Sequence, residues 1–369
     1  MSALSTCSGL LVGYLADQCL GDPVRWHPVA GFGRVAQGIE QVTWADSRTA
    51  GVRQVAVLVG ATSGLGWLLE RAVQDRPLAH AGLVAIASWA VLGGRSLVGE
   101  ASTMGQLLTV PDRAAASLST RGLPPTEPER RELVPGELGP IRDTSATPDL
   151  APARARLSHL CSRDASDLSH ADLVRATLES LAENTSDAVT APLWWGAIAG
   201  VPGLLGYRAA NTLDAMIGYR SARYQRFGWA AARFDDVLNL APARLCALLT
   251  VLAAPAVGGQ PAHAWRIWRR DAPQHPSPNA GPVEASAAGA LGVRLGGSNR
   301  YAGTAEDRGG LGDGSPPQLA DLERAIQLHR VVSAGSLVTA LFVAWVTVRL
   351  RAGVRMRIRP SRRGRAPTK

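Results

Sequence analysis

The sequence predicts an all-α, polytopic integral membrane protein with helical cytoplasmic loops, and three observations carry that prediction. Six stretches without an acidic or basic charge, at 3–16, 54–69, 77–94, 188–207, 245–265 and 331–348, lie near the roughly 17–25 apolar residues that a bilayer crossing requires. A cluster of bases follows the last of them. No segment alternates apolar and polar residues as a half-buried strand would.

The elements follow in order. Residues 3–16 form an apolar helix that runs into Asp17; without a basic flank it reads as an uncleaved helix and not as a signal peptide. The pair 54–69 and 77–94 is joined by a short turn with Arg71, Asp75 and Arg76, and reads as a helical hairpin. Residues 111–153 hold eight prolines and many charges, so a flexible insertion is expected there. Segments 165–183 and 318–332 read as amphipathic helices, the first with Leu168, Leu173, Leu178 and Leu181. The stretch 188–207 carries Pro192 and Pro202, and Pro242 and Pro255 mark the region after Asp236. Broken apolar segments of this kind are tolerated at membrane depth where protein buries them. Residues 302–317, rich in Gly, Asp and Pro, read as a loop. The whole chain, 1–369, is therefore one polytopic membrane domain with an insertion at 111–153 and a basic tail at 349–369.

Composition narrows the chemistry. The chain has 39 Lys and Arg against 30 Asp and Glu, but nine of those bases follow residue 348, where no acid occurs. The surplus is thus a tail and gives no reason to expect nucleic acid. The only Lys is Lys369, which excludes a P-loop and a Schiff-base mechanism. Phosphate would have to be met by Arg, backbone N–H groups or a metal. Cys7, Cys19, Cys161 and Cys246 are scattered, so neither a zinc site nor a disulfide framework is suggested.

Four polar clusters punctuate the apolar chain. The first runs from Asp17 through Asp22, Arg25 and His27 to Pro28, at a helix end. In the second, Glu179, Glu183 and Asp187 recur at i, i+4 and i+8 and so share a helix face, with Asn184 beside them. Like charges so placed repel unless a cation sits among them: a divalent metal, a substrate amine or a nearby Arg. The third extends from Arg208 through Asn211, Asp214, Arg220 and Arg223 to Asp235 and Asp236. Its arginines suit phosphate or carboxylate, and its acidic pair suits Mg²⁺, which binds one or two carboxylates plus phosphate oxygens. The fourth holds His275, Ser277 and Asn279 between prolines, then Glu284 and Arg294. Prolines fix such a backbone and leave the polar side chains to be aimed.

At these residues the sequence resembles the CobD/CbiB family of cobalamin-biosynthesis proteins. The matching stretches are LADQCLGDPVRWHPV, RATLESLAENTSDAVTAPLWW, GYRAANTLDAMIGYRSARYQRFGWAAARFDDVLN and RDAPQHPSPNAGPVEASAAGALGVRLGG, over roughly residues 8–108 and 154–300. The resemblance implies an adenosylcobinamide-phosphate synthase, an ATP- and Mg²⁺-dependent ligase that joins aminopropanol or its phosphate to the f side-chain carboxylate of a corrinoid, adenosylcobyric acid. Set against that chemistry, the four clusters are assigned roles. His275, Asn279, Glu183 and Asp187 are expected to be catalytic, with His275 taking the ammonium proton, Asn279 orienting the acyl oxygen, and Glu183 and Asp187 holding the amine or Mg²⁺. Arg25, His27, Asn184, Arg208, Asn211, Asp214, Arg223, Ser277 and Arg294 are expected to bind substrate or phosphate, and Asp235 with Asp236 to hold the metal. Expected partners are these substrates, membrane lipid and other corrin-pathway enzymes. A transporter with rim carboxylates, or a membrane scaffold for corrinoid enzymes, are the alternative classes.

Because ATP is cytoplasmic, the four clusters should converge on the cytoplasmic side of the cell membrane. The stretch 188–207 should then be re-entrant or buried in protein, since a simple crossing there would strand residues 208–236 outside.

Overall fold

The computed structural model describes residues 2–22, 27–109, 149–161, 164–219, 221–301 and 304–358, with side chains left aside for 298–307 and 352–358. Helix α1 (Ala3–Leu20) begins under Ser2, whose hydroxyl accepts from the Ser5 N–H, and stops at Gly21. Helices α2 (Pro28–Thr43), α3 (Arg48–Val73), α4 (Pro77–Val91) and α5 (Gly94–Leu108) follow. Pro28 and Pro77 open their helices, where a missing N–H costs nothing. The sequence expectation of a 54–69/77–94 hairpin holds only for the connection: α4 packs chiefly on α1, and α3 on a later helix, α9.

Residues 110–148, most of the expected insertion, lie outside the described residues. Its last residues differ from expectation, because Ala151–Leu157 form a short helix, α6, with Ala153 and Leu157 buried. Helix α7 (His170–Thr185) starts with a capping box between Ser169 and Asp172 and buries Leu173, Leu178 and Leu181. It continues into a π-helical turn, Ser186–Thr190. The apolar stretch 188–207 is not one helix. It breaks at Gly200, φ 68°, into α8 (Ala191–Ala199) and α9 (Val201–Ile217), which pack on each other.

Helix α10 (Trp229–Ala253) starts well before the apolar stretch 245–265 and carries Pro242 inside it, so Asp235 and Asp236 stand on a long helix and not in a loop. After a 3₁₀ turn the chain reverses at Gly258 into α11 (Pro261–Asp271), and α12 (Ala280–Leu291) is buried along its whole length. The expected loop at 302–317 is a correction. Strands β1 (Leu295–Tyr301) and β2 (Thr304–Leu311) pair antiparallel, Leu295 opposite Leu311. Glycine-rich strands show no alternation to read, and the pairing is anchored from outside: the Gly296 N–H donates to Glu179 Oε1 at 2.8 Å, and Arg175 donates to the Gly296 carbonyl. Helix α13 (Ala320–Ile358) absorbs the first half of the expected tail.

Among the described residues four helical runs are long and apolar enough to cross a membrane: Arg48–Val73, Pro77–Leu108, Trp229–Val257 and Ala320–Arg351. The stretches 3–16 and 188–207 are not among them. The four runs expose large apolar side chains, with Leu65 and Leu68 on α3, Leu248 and Leu252 on α10, and Val338 and Phe342 on α13. Apolar faces of that extent fit lipid and not water. The molecule is therefore an all-α polytopic membrane protein. Inside, α13 is tied to the π-helical turn by polar contacts, Thr185 to His329 at 2.8 Å and Thr190 to Ser336 at 2.9 Å. This fixes the turn that carries Asp187.

Candidate active site

Three segments bring acidic groups to one place. The π-helical turn supplies Asp187, α9 supplies Asn211 and Asp214, and α10 supplies Asp235. Asn211 Nδ2 points at both Asp187 Oδ2, 3.4 Å away, and Asp235 Oδ1, 3.5 Å away. Its Oδ1 accepts from Arg208 at 3.4 Å, which fixes which end of the amide faces the carboxylates. Asn239, one turn along from Asp235, donates to Asp235 Oδ2 at 2.9 Å. The Tyr207 hydroxyl lies 3.0 Å from Asn239 Oδ1 and 3.3 Å from the Asp187 carbonyl. Asp235 and Asn239 are buried, whereas Glu183, Asp187, Asn211 and Asp214 are half-buried and form the reachable wall.

The π-helical turn matters here. An extra residue in the turn re-aims the side chains that follow it, and such turns recur at functional sites. Of the expected face, Glu179 is committed to anchoring β1, leaving Glu183 and Asp187 to the pocket. Asn184 is not in it: its amide donates to the Ser180 carbonyl at 2.9 Å and reaches Leu160.

The site holds more carboxylates than cations. Burial, and then the charges of Asp235, Glu183 and Asp214, hold the Asp187 carboxyl well above the usual range, with Arg208 opposing them. Asp214 is pushed up to about 7 by burial and by Asp235, Asp236 and Glu183. Arg208 is the local counter-charge; burial works against its ionisation, while Tyr207, Asp22, Asp187 and Asp17 favour it. Asp17 belongs to this neighbourhood. Its Oδ2 meets the Arg95 N–H at the start of α5, its Oδ1 has no hydrogen-bond partner, and burial raises it to about 6. His27 caps α2 through Nδ1 and sits 3.6 Å from Asp22, while Arg25 lies outside the described residues.

Asp235 and Asp236 turn to different partners in the ligand-free chain. Neighbours on a helix point about 100° apart, and Asp236 turns to Arg233 at 3.1 Å while Asp235 turns to Asn239. Among the described residues no group of three or more metal-binding side chains occurs. The fourth cluster joins from the other side of α10. Asn279 donates to the Asp236 carbonyl at 2.8 Å and accepts from Arg244 at 3.0 Å. Ser277 Oγ accepts from the Asn279 and Ala280 N–H groups, which shapes the turn into α12.

His275 is not placed as a proton acceptor for substrate. Its Nδ1 accepts from the Ser277 N–H at 3.0 Å, and its buried Nε2 lies 3.7 Å from Glu284. Burial and the Arg308 charge hold it down at about 4, so the ring is neutral. Arg223 and Arg294 also stand apart. Arg223 pairs with Glu40 at 3.0 Å and lies over Trp44, and exposed Arg294 meets Ser315 through its backbone N–H.

Sequence reading missed Tyr207, Asn239 and Arg244. Asn239 was detectable as the residue four after Asp235, and Arg244 as the charge at the edge of an apolar stretch. Tyr207 stands at the head of the matching stretch YRAANTLD but was given no role, because a Tyr ending an apolar run is ordinary.

Comparison with known proteins agrees with the motifs. The family model described as CobD/Cbib protein matches residues 10–121 and 137–329. A protein of Mycobacterium tuberculosis (strain ATCC 25618 / H37Rv) named cobalamin biosynthesis protein CobD is 48% identical over 338 residues, covering 91% of this chain and 95% of its own. Proteins of the same name from Chromobacterium violaceum and Stutzerimonas stutzeri are 39% and 38% identical, over 86% and 93% of this chain and 90% and 99% of theirs. No solved structure matches the chain.

Proposed function

The chain belongs to the CobD/CbiB protein family, and from that premise we propose that it is the acid–amine ligase of cobalamin biosynthesis. It would use ATP to join aminopropanol, or its phosphate, to the f side-chain carboxylate of adenosylcobyric acid. A role in cobalamin biosynthesis is the part its relatives' shared name carries. The ligase chemistry rests on one observation: Asn211 bridges Asp187 and Asp235, the charges of Glu183 and Asp214 act on them, and Arg208 is the nearby counter-charge.

A pocket of that kind is completed by a cation. A substrate ammonium supplies one positive charge and three donors, which Asp187 and Glu183 would accept. In this reading the f carboxylate attacks the γ-phosphorus of ATP, releasing ADP and leaving an acyl phosphate. The ammonium gives one proton to Asp214, whose value near 7 suits a base at neutral pH, and the second N–H proton leaves with the departing phosphate. The freed lone pair attacks the acyl carbon, the C–N bond forms and phosphate departs. Asn211 holds the two carboxylates in register, and Asn279 orients the loop and does not touch the acyl oxygen. Mg²⁺ would enter as the counter-ion of the nucleotide's phosphates.

The purified full-length protein, incubated with adenosylcobyric acid, ATP, Mg²⁺ and each amine, should yield the amide, identified by its mass, with stoichiometric ADP. Absence of amide with either amine would overturn the ligase reading. The pocket is expected on the cytoplasmic face. In intact cells, an impermeant thiol reagent should therefore not label a single Cys introduced at position 277.

A further inference from the structure

A groove of about 730 Å³ opens between α10, α11 and the turn at 272–278, within the roughly 300–1,000 Å³ of small-molecule pockets. It meets the carboxylate site at Asp236, whose carbonyl accepts from Asn279 and whose carboxylate pairs with the groove-lining Arg233. Arg233, Arg244 and Arg269 line it, and no carboxylate does. Arg233 has Asp236 at 3.1 Å. Arg244 meets neutral oxygens, those of Leu240 and the Asn279 side chain, each at 3.0 Å. Arg269 lies over the Trp265 ring, 5.9 Å from its centroid. Three guanidinium groups with one nearby carboxylate leave the groove cationic.

Its charged donors are these side chains. Pro273, Pro276, Pro278 and Pro282 carry no N–H, and the N–H groups of Ser277, Asn279 and Ala280 are already bonded to His275 and Ser277. The other wall is aromatic: Trp265 and Trp268 meet edge to face, 5.0 Å between centroids. Guanidinium forks suit phosphate oxygens, and indole faces suit a planar base.

We propose that this groove binds the nucleoside triphosphate, its base against Trp265 and Trp268 and its phosphates on Arg244, Arg233 and Arg269. The assignment rests on the ATP-dependent reading above and gives the nucleotide residues that no sequence motif had indicated. A triphosphate matches three arginines better than a lipid headgroup with one phosphate does. Asn279 links this groove to the turn of α10 that carries Asp235.

Equilibrium dialysis of the full chain in nanodiscs, with ATP, inorganic tripolyphosphate or adenosine as ligand, tests the proposal. Arg244→Gln and Arg269→Gln should each weaken ATP and tripolyphosphate binding by about tenfold or more, the worth of one charge-assisted contact. Trp265→Leu should weaken ATP and leave tripolyphosphate unchanged. Arg269 is exposed, so its variant remains informative if Arg244→Gln fails to fold. Unchanged ATP binding in the Arg269 variant overturns the proposal, as does loss of co-purifying anionic phospholipid alone. Wild-type ATP binding that depends on these residues, without amide formation, would sink the ligase reading and leave the groove assignment standing. Amide formation with an unchanged KM for ATP in Arg269→Gln would do the reverse. A wild-type chain that binds no ATP overturns both.

Discussion

Asn211 stands 3.4 Å from Asp187, with its side-chain amide donating toward the carboxylate. The two residues are 24 apart in sequence and on different elements, and the same amide reaches Asp235. One neutral donor thus bridges two carboxylates that would otherwise repel, and it leaves their net negative charge for a cation to complete.

Asp187→Asn keeps the shape of that contact and removes the charge. Amide formation should fall at least about 10²-fold, the usual scale for a lost charge at a reacting centre, with normal membrane insertion. Wild-type turnover in this variant would remove Asp187 from the site.

Asp214 should make both rate and stability depend on pH. Its carboxyl titrates near 7 in the folded chain and near 3.9 when unfolded. Between those values the folded state holds a proton that the unfolded state releases, so this group's stabilising contribution is full below about pH 4 and is lost as pH rises to about 7. The melting temperature of the ligand-free protein should drop from pH 5 to pH 8. Asp214→Asn should flatten that drop and lower kcat by roughly 10²–10⁴-fold. An unchanged pH slope in the variant would assign the effect elsewhere.

Gly200→Ala should destabilise the fold. At φ 68° and ψ −146° Gly200 occupies a region nearly reserved for glycine, and an added Cβ would collide with the Glu70 carboxylate. A cost of about 1–3 kcal/mol is expected from the backbone alone. Thermal melting in detergent reads it; an equal melting temperature would contradict the geometry.

Arg223→Gln should leave the KM for ATP within about twofold, because its guanidinium is already engaged by Glu40 and Trp44 and surface ion pairs contribute little. A tenfold rise in that KM would restore Arg223 to the phosphate site.

Deleting residues 117–146 should preserve activity. The cut stops short of Asp149, whose carboxylate accepts from the Ala151 N–H at the start of α6. An inserted but inactive deletion variant would give the segment a role.

The sequence by itself determined the class of the molecule and most of the residues that matter. Apolar length fixed the membrane fold, because lipid admits only helices or closed barrels, and the spacing of Glu183 and Asp187 gave the start of an acidic face. Only the tertiary structure decided which polar clusters meet. Asp187, Asn211 and Asp235 converge because the chain reverses at Gly200 and the π-helical turn re-aims Asp187, and neither event has a local periodic signature. The same packing sent Arg223 to Glu40 and turned His275 inward, since a charge or ring takes whatever partner the fold brings within reach. Asp235 and Asp236 looked like a pair in sequence and were separated by the 100° step of a helix.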